Sequence, residues 1–146
     1  VTQVLAAADP VAVLLAWLRG HASVLAEFGD PARISGRNET PYPRLMVMPS
    51  PGGSDGDLRW ILDGEVSLTT YGEFDGTPGQ AALRRMHYTA LGAAAELPMS
   101  RFTAGQPVVS AVRATAAAYW SPEPLTGQPA WRSTLLLTIH PPRQGA

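Results

Sequence analysis

Residues 58–72 read LRWILDGEVSLTTYG, and this stretch decides the fold. Trp60, Leu62, Val66 and Leu68 alternate with Asp63, Glu65, Ser67 and Thr69. A period of two, rich in β-branched residues, predicts a strand with one covered face and one polar face. Taken whole, Leu58–Gly72 would reach roughly 45 Å, against about 17–20 Å for a usual strand. A small domain has no core wide enough for such a strand, so one end is expected to project as the arm of a hairpin. Gly64 interrupts the run and marks a bulge or bend.

The flanks follow from local signals. PSPGGSDGD, residues 49–57, is dense in Pro and Gly and predicts a loop outside the sheet. It is preceded by a strand over Tyr42–Met48, with Leu45 and Val47 on one face and Met46 and Met48 on the other. Ala32–Ser35 predicts a further short strand. Thr77-Pro78-Gly79-Gln80 has a capping-box spacing that opens a helix whose apolar stripe is Leu83, Met86, Ala90, Leu91, Ala94 and Leu97. Upstream, Asp9-Pro10 opens another helix, with Val11, Leu14, Leu15, Leu18 and Leu25 on one stripe. Gly20 weakens its centre, and Phe28-Gly29-Asp30-Pro31 stops it. Pro107–Tyr119 and Trp131–His140 are strands joined by the Pro-rich connection SPEPLTGQPA, residues 121–130. The order is helix, two or three strands, helix, two strands. It predicts a single α+β domain over residues 1–146, with a mostly antiparallel sheet, two helices packed on one face and a long projecting β-hairpin.

Composition narrows the function classes. At 146 residues roughly two-thirds of the unfolded surface can be buried, so the core needs no staples. Cysteine is absent, which excludes disulfides and thiolate metal sites. No apolar run approaches the ~20 residues of a membrane span, and VTQVLAAADP lacks the basic segment of a secretory signal. Net charge is −1 and the only basic cluster is Arg84-Arg85, too little to hold a phosphate backbone. All 11 Lys/Arg residues are Arg.

Several patterns imitate catalytic chemistry. Gly52-Gly53-Ser54-Asp55-Gly56 matches the G-x-S-x-G elbow, but that motif needs a strand before it and a helix after it. Here a Pro-rich loop precedes and a strand follows, so a flexible hairpin tip is the better reading. Asp63 and Glu65, two apart on one strand face, could act as an acid–base pair; a solvated face or an intersubunit contact fits the polar surroundings better. His21, His87 and His140 are not spaced as metal ligands and read as surface or interface residues. Asn38-Glu39-Thr40 matches a glycosylation acceptor and reads as a solvated loop. Trp17, Trp60, Trp120 and Trp131 are core residues or protein–protein anchors.

DPVAVLLAWLRGH (residues 9–21), YPRLMVMPSPGG (42–53), EVSLTTYGE (65–73) leading into TPGQAALRRMHYTALGAA (77–94), and WRSTLLLTIHPP (131–142) form an ordered set. Together they resemble the tail terminator, or tail completion, proteins of long-tailed bacteriophages, of the kind found in actinobacterial phages. The resemblance covers roughly Asp9 to Pro141. It implies a structural virion protein with no cofactor, no metal and no enzyme activity. It implies a homohexameric ring on the head-proximal end of the tail tube, assembled in the host cytoplasm. Its partners would be further copies of itself, the tail tube protein and the head–tail connector protein, with no membrane and with DNA only passing through the lumen. Loop position selects Asp55, Asp57, Arg59, Glu123 and Arg132 as candidate intersubunit or tube contacts. The alternatives are another head–tail connector or tail tube component, or a small enzyme or ligand-binding domain using the Asp63–Glu65 face.

Overall fold

In the computed structural model, which describes residues 2–3, 5–54, 57–58, 60–101 and 103–144, Asp9 opens the first helix. Its Oδ1 accepts the N–H groups of Val11 at 3.0 Å and Ala12 at 3.4 Å. Pro10 loses nothing at the first helical position, where its missing N–H would have had no helical partner. The helix α1 spans Pro10–Gly20 and does not continue to Phe28. The chain turns extended at His21, and α2 (Ala22–Phe28) leaves at 79°. His21 serves both ends: its N–H bonds the Leu18 carbonyl at 3.3 Å, and its Nδ1 accepts the Ser23 N–H at 3.3 Å. Gly20, a weak helix former, places the break there. The turn redirects the stripe, so that Val24 and Phe28 are buried and Leu25 is only half-buried. Among the described residues no single helix is long and apolar enough to cross a membrane; only the bent α1–α2 pair passes that length and composition test.

Five strands form the main sheet: β2 (Ile34–Ser35), β3 (Arg44–Ser54), β4 (Leu62–Tyr71), β5 (Val108–Trp120) and β6 (Ala130–His140). Their order is β2-β3-β4-β6-β5, antiparallel throughout except for β2 beside β3. A separate ribbon pairs β1 (Thr2–Gln3) with β7 (Arg143–Gln144). The helix α3 spans Gln80–Ala95. It lies with α1 and α2 on one face of the sheet, where Val66 and Leu68 of β4 and Leu135, Leu137 and Ile139 of β6 meet Leu14, Leu18, Phe28, Leu83 and Met86. Trp17 ties α1 to α3, its Nε1 donating to the Ala93 carbonyl at 2.7 Å. The fold is thus α+β with a mostly antiparallel sheet, and it has three α-helices where two were expected.

The central stretch departs from its sequence reading in three places. First, β4 begins at Leu62. The Asp57 carbonyl accepts the N–H groups of Trp60 at 2.8 Å and Ile61 at 3.0 Å, closing a turn that cannot join a ladder. With 10 residues β4 is no longer than β3 and β6, at 11 each, or β5, at 13. Second, Pro49–Ser54 belongs to the sheet. β2 pairs only with Leu45 and Met46, so the rest of β3 is an edge, where a residue without an N–H is tolerated. The bulge lies here, between Pro49 and Gly53, and not at Gly64. Gly53 has φ +88, and a Cβ on it would lie 2.3 Å from the Asp63 carbonyl oxygen, so glycine is required. Gly64 is instead where α1 presses on the sheet: a Cβ there would come within 2.0 Å of Pro10 Cγ. Third, the capping box at Thr77 does not form. Gly79 is the N-cap of α3, and both the N–H and the hydroxyl of Thr77 go to Asp75 Oδ1, at 3.0 and 2.7 Å.

The second sheet face is open over much of its area. One end is covered by loop 36–43, whose Tyr42 packs with Tyr71 and Ala130. Buried Arg44 holds this loop, with Nη2 on the Ala32 carbonyl at 2.8 Å and on Ser35 Oγ at 3.1 Å, and Nη1 on the Glu39 carbonyl.

Candidate functional site

The groups that imitated catalytic residues are held in structural bonds. Ser54 ends β3 opposite Asp63, and the next element is the strand β4, not the helix that the elbow needs. Asp55 and Gly56 lie outside the described residues. Asp63 accepts the Thr138 hydroxyl at 2.6 Å, and Glu65 Oε1 faces the hydroxyls of Ser50 and Thr115 at 3.4 Å each. Asn38 is engaged through both side-chain ends, its Nδ2 on Gln128 and its Oδ1 accepting from Tyr42.

The histidines do not converge either. His21 bonds Glu96 at 2.8 Å. His140 lies between the Trp60 carbonyl at 3.1 Å and Ser110 Oγ at 2.9 Å, tying the turn before β4 to the far edge of the sheet. His87 is fully buried, contrary to the surface or interface reading. It bridges Thr70 of β4 and Ser133 of β6, at 2.8 Å each, and burial pushes it down to about 4. Its place one turn beyond Leu83 on the apolar stripe was the available signal. Among the described residues no group of three or more His, Cys, Asp or Glu could hold a metal ion.

The proposed contact residues separate to two ends of the sheet. Asp57 is exposed at the turn before β4. Arg59, like Asp55, lies outside the described residues. Glu123 and Arg132 are near the opposite end and pair with each other at 3.1 Å. Arg132 also donates from Nε to the Ser121 carbonyl at 3.2 Å and lies over the Tyr71 ring at 5.7 Å. The pair is partly exposed and contributes under about 1 kcal/mol to stability; it shapes the turn between β5 and β6. That turn is also closed by Glu123 N–H to the Gln128 carbonyl at 2.9 Å and Gly127 N–H to the Glu123 carbonyl at 2.8 Å. Gln128 is buried beneath it and donates to the Gly72 carbonyl at 3.0 Å.

Two surface features escaped the sequence reading. Leu125, at the tip of the β5–β6 turn, is 96% exposed. At the other end of the same hairpin is a mostly apolar groove of about 310 Å³, lined by Ala104, Gly105, Gln106, Val108, His140, Pro141 and Pro142. A leucine between prolines in a turn was a readable signal for the first. The groove is built by segments more than thirty residues apart and had none.

No protein-family model matches the sequence, and no curated protein matches it. Among solved structures, the fold is similar to that of a chain in the virion of a native gene transfer agent (GTA) particle. The match covers 95% of this chain and 99% of that one, with a TM-score of 0.60 and 13% sequence identity. At that identity the likeness is one of fold.

Proposed function

We propose that this chain is a structural virion protein that closes the head-proximal end of a phage tail tube as a homohexameric ring. The observation that carries the proposal is the fold shared over 95% of this chain and 99% of a virion chain. A likeness of that extent concerns the whole domain and not one common supersecondary unit. The ordered sequence segments that resemble tail terminators supply the position within the particle.

The mechanism is capping by shape. A heterologous head-to-tail contact between copies closes into a ring when its rotation divides a full turn. One ring face repeats the contacts of the next tube ring and the other does not, so tube growth stops and the head–tail connector docks on the second face. The turns near Asp57 and Glu123 extend from opposite ends of the sheet, an arrangement that suits a head-to-tail contact between copies. Asp55, Asp57, Arg59, Glu123 and Arg132 remain the proposed contacts. With a net charge of −1 the ring leaves DNA free to pass its lumen.

The test uses the tail tube protein of the same particle, polymerised with and without this chain and measured by electron microscopy. The expected result is shorter tubes carrying extra ring density at one end. Tubes that elongate equally with the chain present, and that show no end density, would refute capping.

A further inference from the structure

Leu125 and the 104–108/140–142 groove lie at opposite ends of one hairpin. Val108 pairs with His140 at the groove end and Trp120 with Trp131 at the turn end. Eleven residues of β6 separate the two by roughly 36 Å. Leu125 therefore cannot reach the groove of its own chain. The turn is held by its internal hydrogen bonds, by Arg132 and by buried Gln128, so it presents Leu125 without a large ordering cost on binding. A void of about 150 Å³ already admits a benzene-sized group, and the groove is larger.

The charges around the two features are opposite in sign. Loops 72–79 and 121–129, joined through Gly72 N–H to the Pro129 carbonyl at 3.0 Å, carry Glu73 and Asp75, while Glu123 is already paired with Arg132. The groove lining has no Asp or Glu, and Arg101 lines the adjoining hollow that shares Gln106 and Val108 with it. Opposed charges around an apolar contact favour the mixed pairing and disfavour turn-to-turn or groove-to-groove pairing.

From this juxtaposition we infer that the groove receives the Leu125 turn of a second copy of this chain. The contact is heterologous, since knob and groove are different surfaces, and it repeats from copy to copy until it closes. It rests on the ring reading only for the closure and the number of copies.

The absence of cysteine gives a direct test. Leu125→Cys and Ala104→Cys are made as separate variants, mixed under mild oxidation, and examined free and on tail tubes. Ala81→Cys, exposed on α3, replaces Ala104→Cys as control. A disulfide needs the two Cα atoms within about 7 Å. The expected product is a 125–104 heterodisulfide, identified by peptide mass, well above either variant alone or the control pair. No excess over the control, both free and on tubes, overturns the inference. Leu125→Asp, at a side chain that packs on nothing in its own chain, should leave the fold intact and weaken self-association at least about tenfold. If Leu125→Asp still caps tubes, the ring closes through another surface and this inference fails while capping stands. If the heterodisulfide forms and tubes are not capped, the contact stands and the capping reading fails.

Discussion

Acidification should destabilise this protein through one imidazole. His87 is fully buried between the hydroxyls of Thr70 and Ser133, and among the described residues no carboxylate is bonded to it to stabilise a charged ring. Burial holds it at about 4, against an ordinary 6.5 that the unfolded chain recovers. Between these values the unfolded state binds the proton and the folded state does not. Stability therefore rises with pH across the window and is lost as pH falls from about 6.5 towards 4. The slope is about 1.4 kcal/mol per pH unit, so the full loss is on the order of 3 kcal/mol. That is a large share of the roughly 5–15 kcal/mol that holds a typical domain folded. Urea titrations of the natural chain and of His87→Gln, at several pH values from 7.5 to 4, measure it. Gln keeps a group able to bond both hydroxyls and removes the titration. Carboxylates contribute equally to both proteins at low pH, so the difference between the two curves isolates His87. The natural chain should lose ground against the variant by about 3 kcal/mol between pH 7 and 4. A difference that stays flat over this range, or a His87 ring resonance that titrates near 6.5, would refute the reasoning.

Arg44→Met should lower stability by about 3 kcal/mol, because it leaves the carbonyls of Ala32 and Glu39 without their donor. The urea midpoint should fall with an unchanged slope; a loss under about 1 kcal/mol would mean that water replaces the guanidinium. Gly64→Ala should destabilise by about 1–3 kcal/mol through overpacking against Pro10. Gly20→Ala, where nothing lies within 4 Å of the added carbon, should be neutral or up to about 1 kcal/mol stabilising. Equal thermal shifts for the two would contradict the close approach of α1 to the sheet.

The sequence was most legible where a local rule and the tertiary environment agree. Trp131–His140 alternates because one face of β6 is covered by helices, and the strand occupies Ala130–His140. Asp9-Pro10 starts α1 because capping depends on neighbours in the chain. The misses share a non-local cause. Pro49 and Pro51 argue against a strand only if that strand is central, and β3 is an edge because β2 stops after two residues. Leu58, Trp60 and Leu62 alternate like a strand, yet the Asp57 carbonyl captures two N–H groups and ends the pattern. Gly20 was legible as a weak point, but His21 as the cap of two helices was not. Glu123 and Arg132 were singled out as separate contacts; they are paired because the β5–β6 register brings positions nine apart across the turn.

The two outer edges of the sheet bear on how a capping protein could avoid becoming a polymer itself. An open strand edge is a template for unlimited pairing. On one side, β3 carries Pro49 and Pro51, which have no N–H to offer a new strand, and β2 covers Leu45 and Met46. On the other, β5 shifts register between Val109 and Ala111, between Ala114 and Ala116, and between Ala116 and Tyr119. Each shift breaks the even spacing that a docking strand would need. Both edges are thus blunted by different means, and the ladder is a poor route to association. In the proposed ring, contacts between copies would then fall to side chains on turns, where geometry fixes a definite rotation. A rotation that closes gives a finite ring, whereas a ladder that accepts one strand accepts the next. For a protein proposed to stop a tube from growing, finite association is the property its edges have to protect.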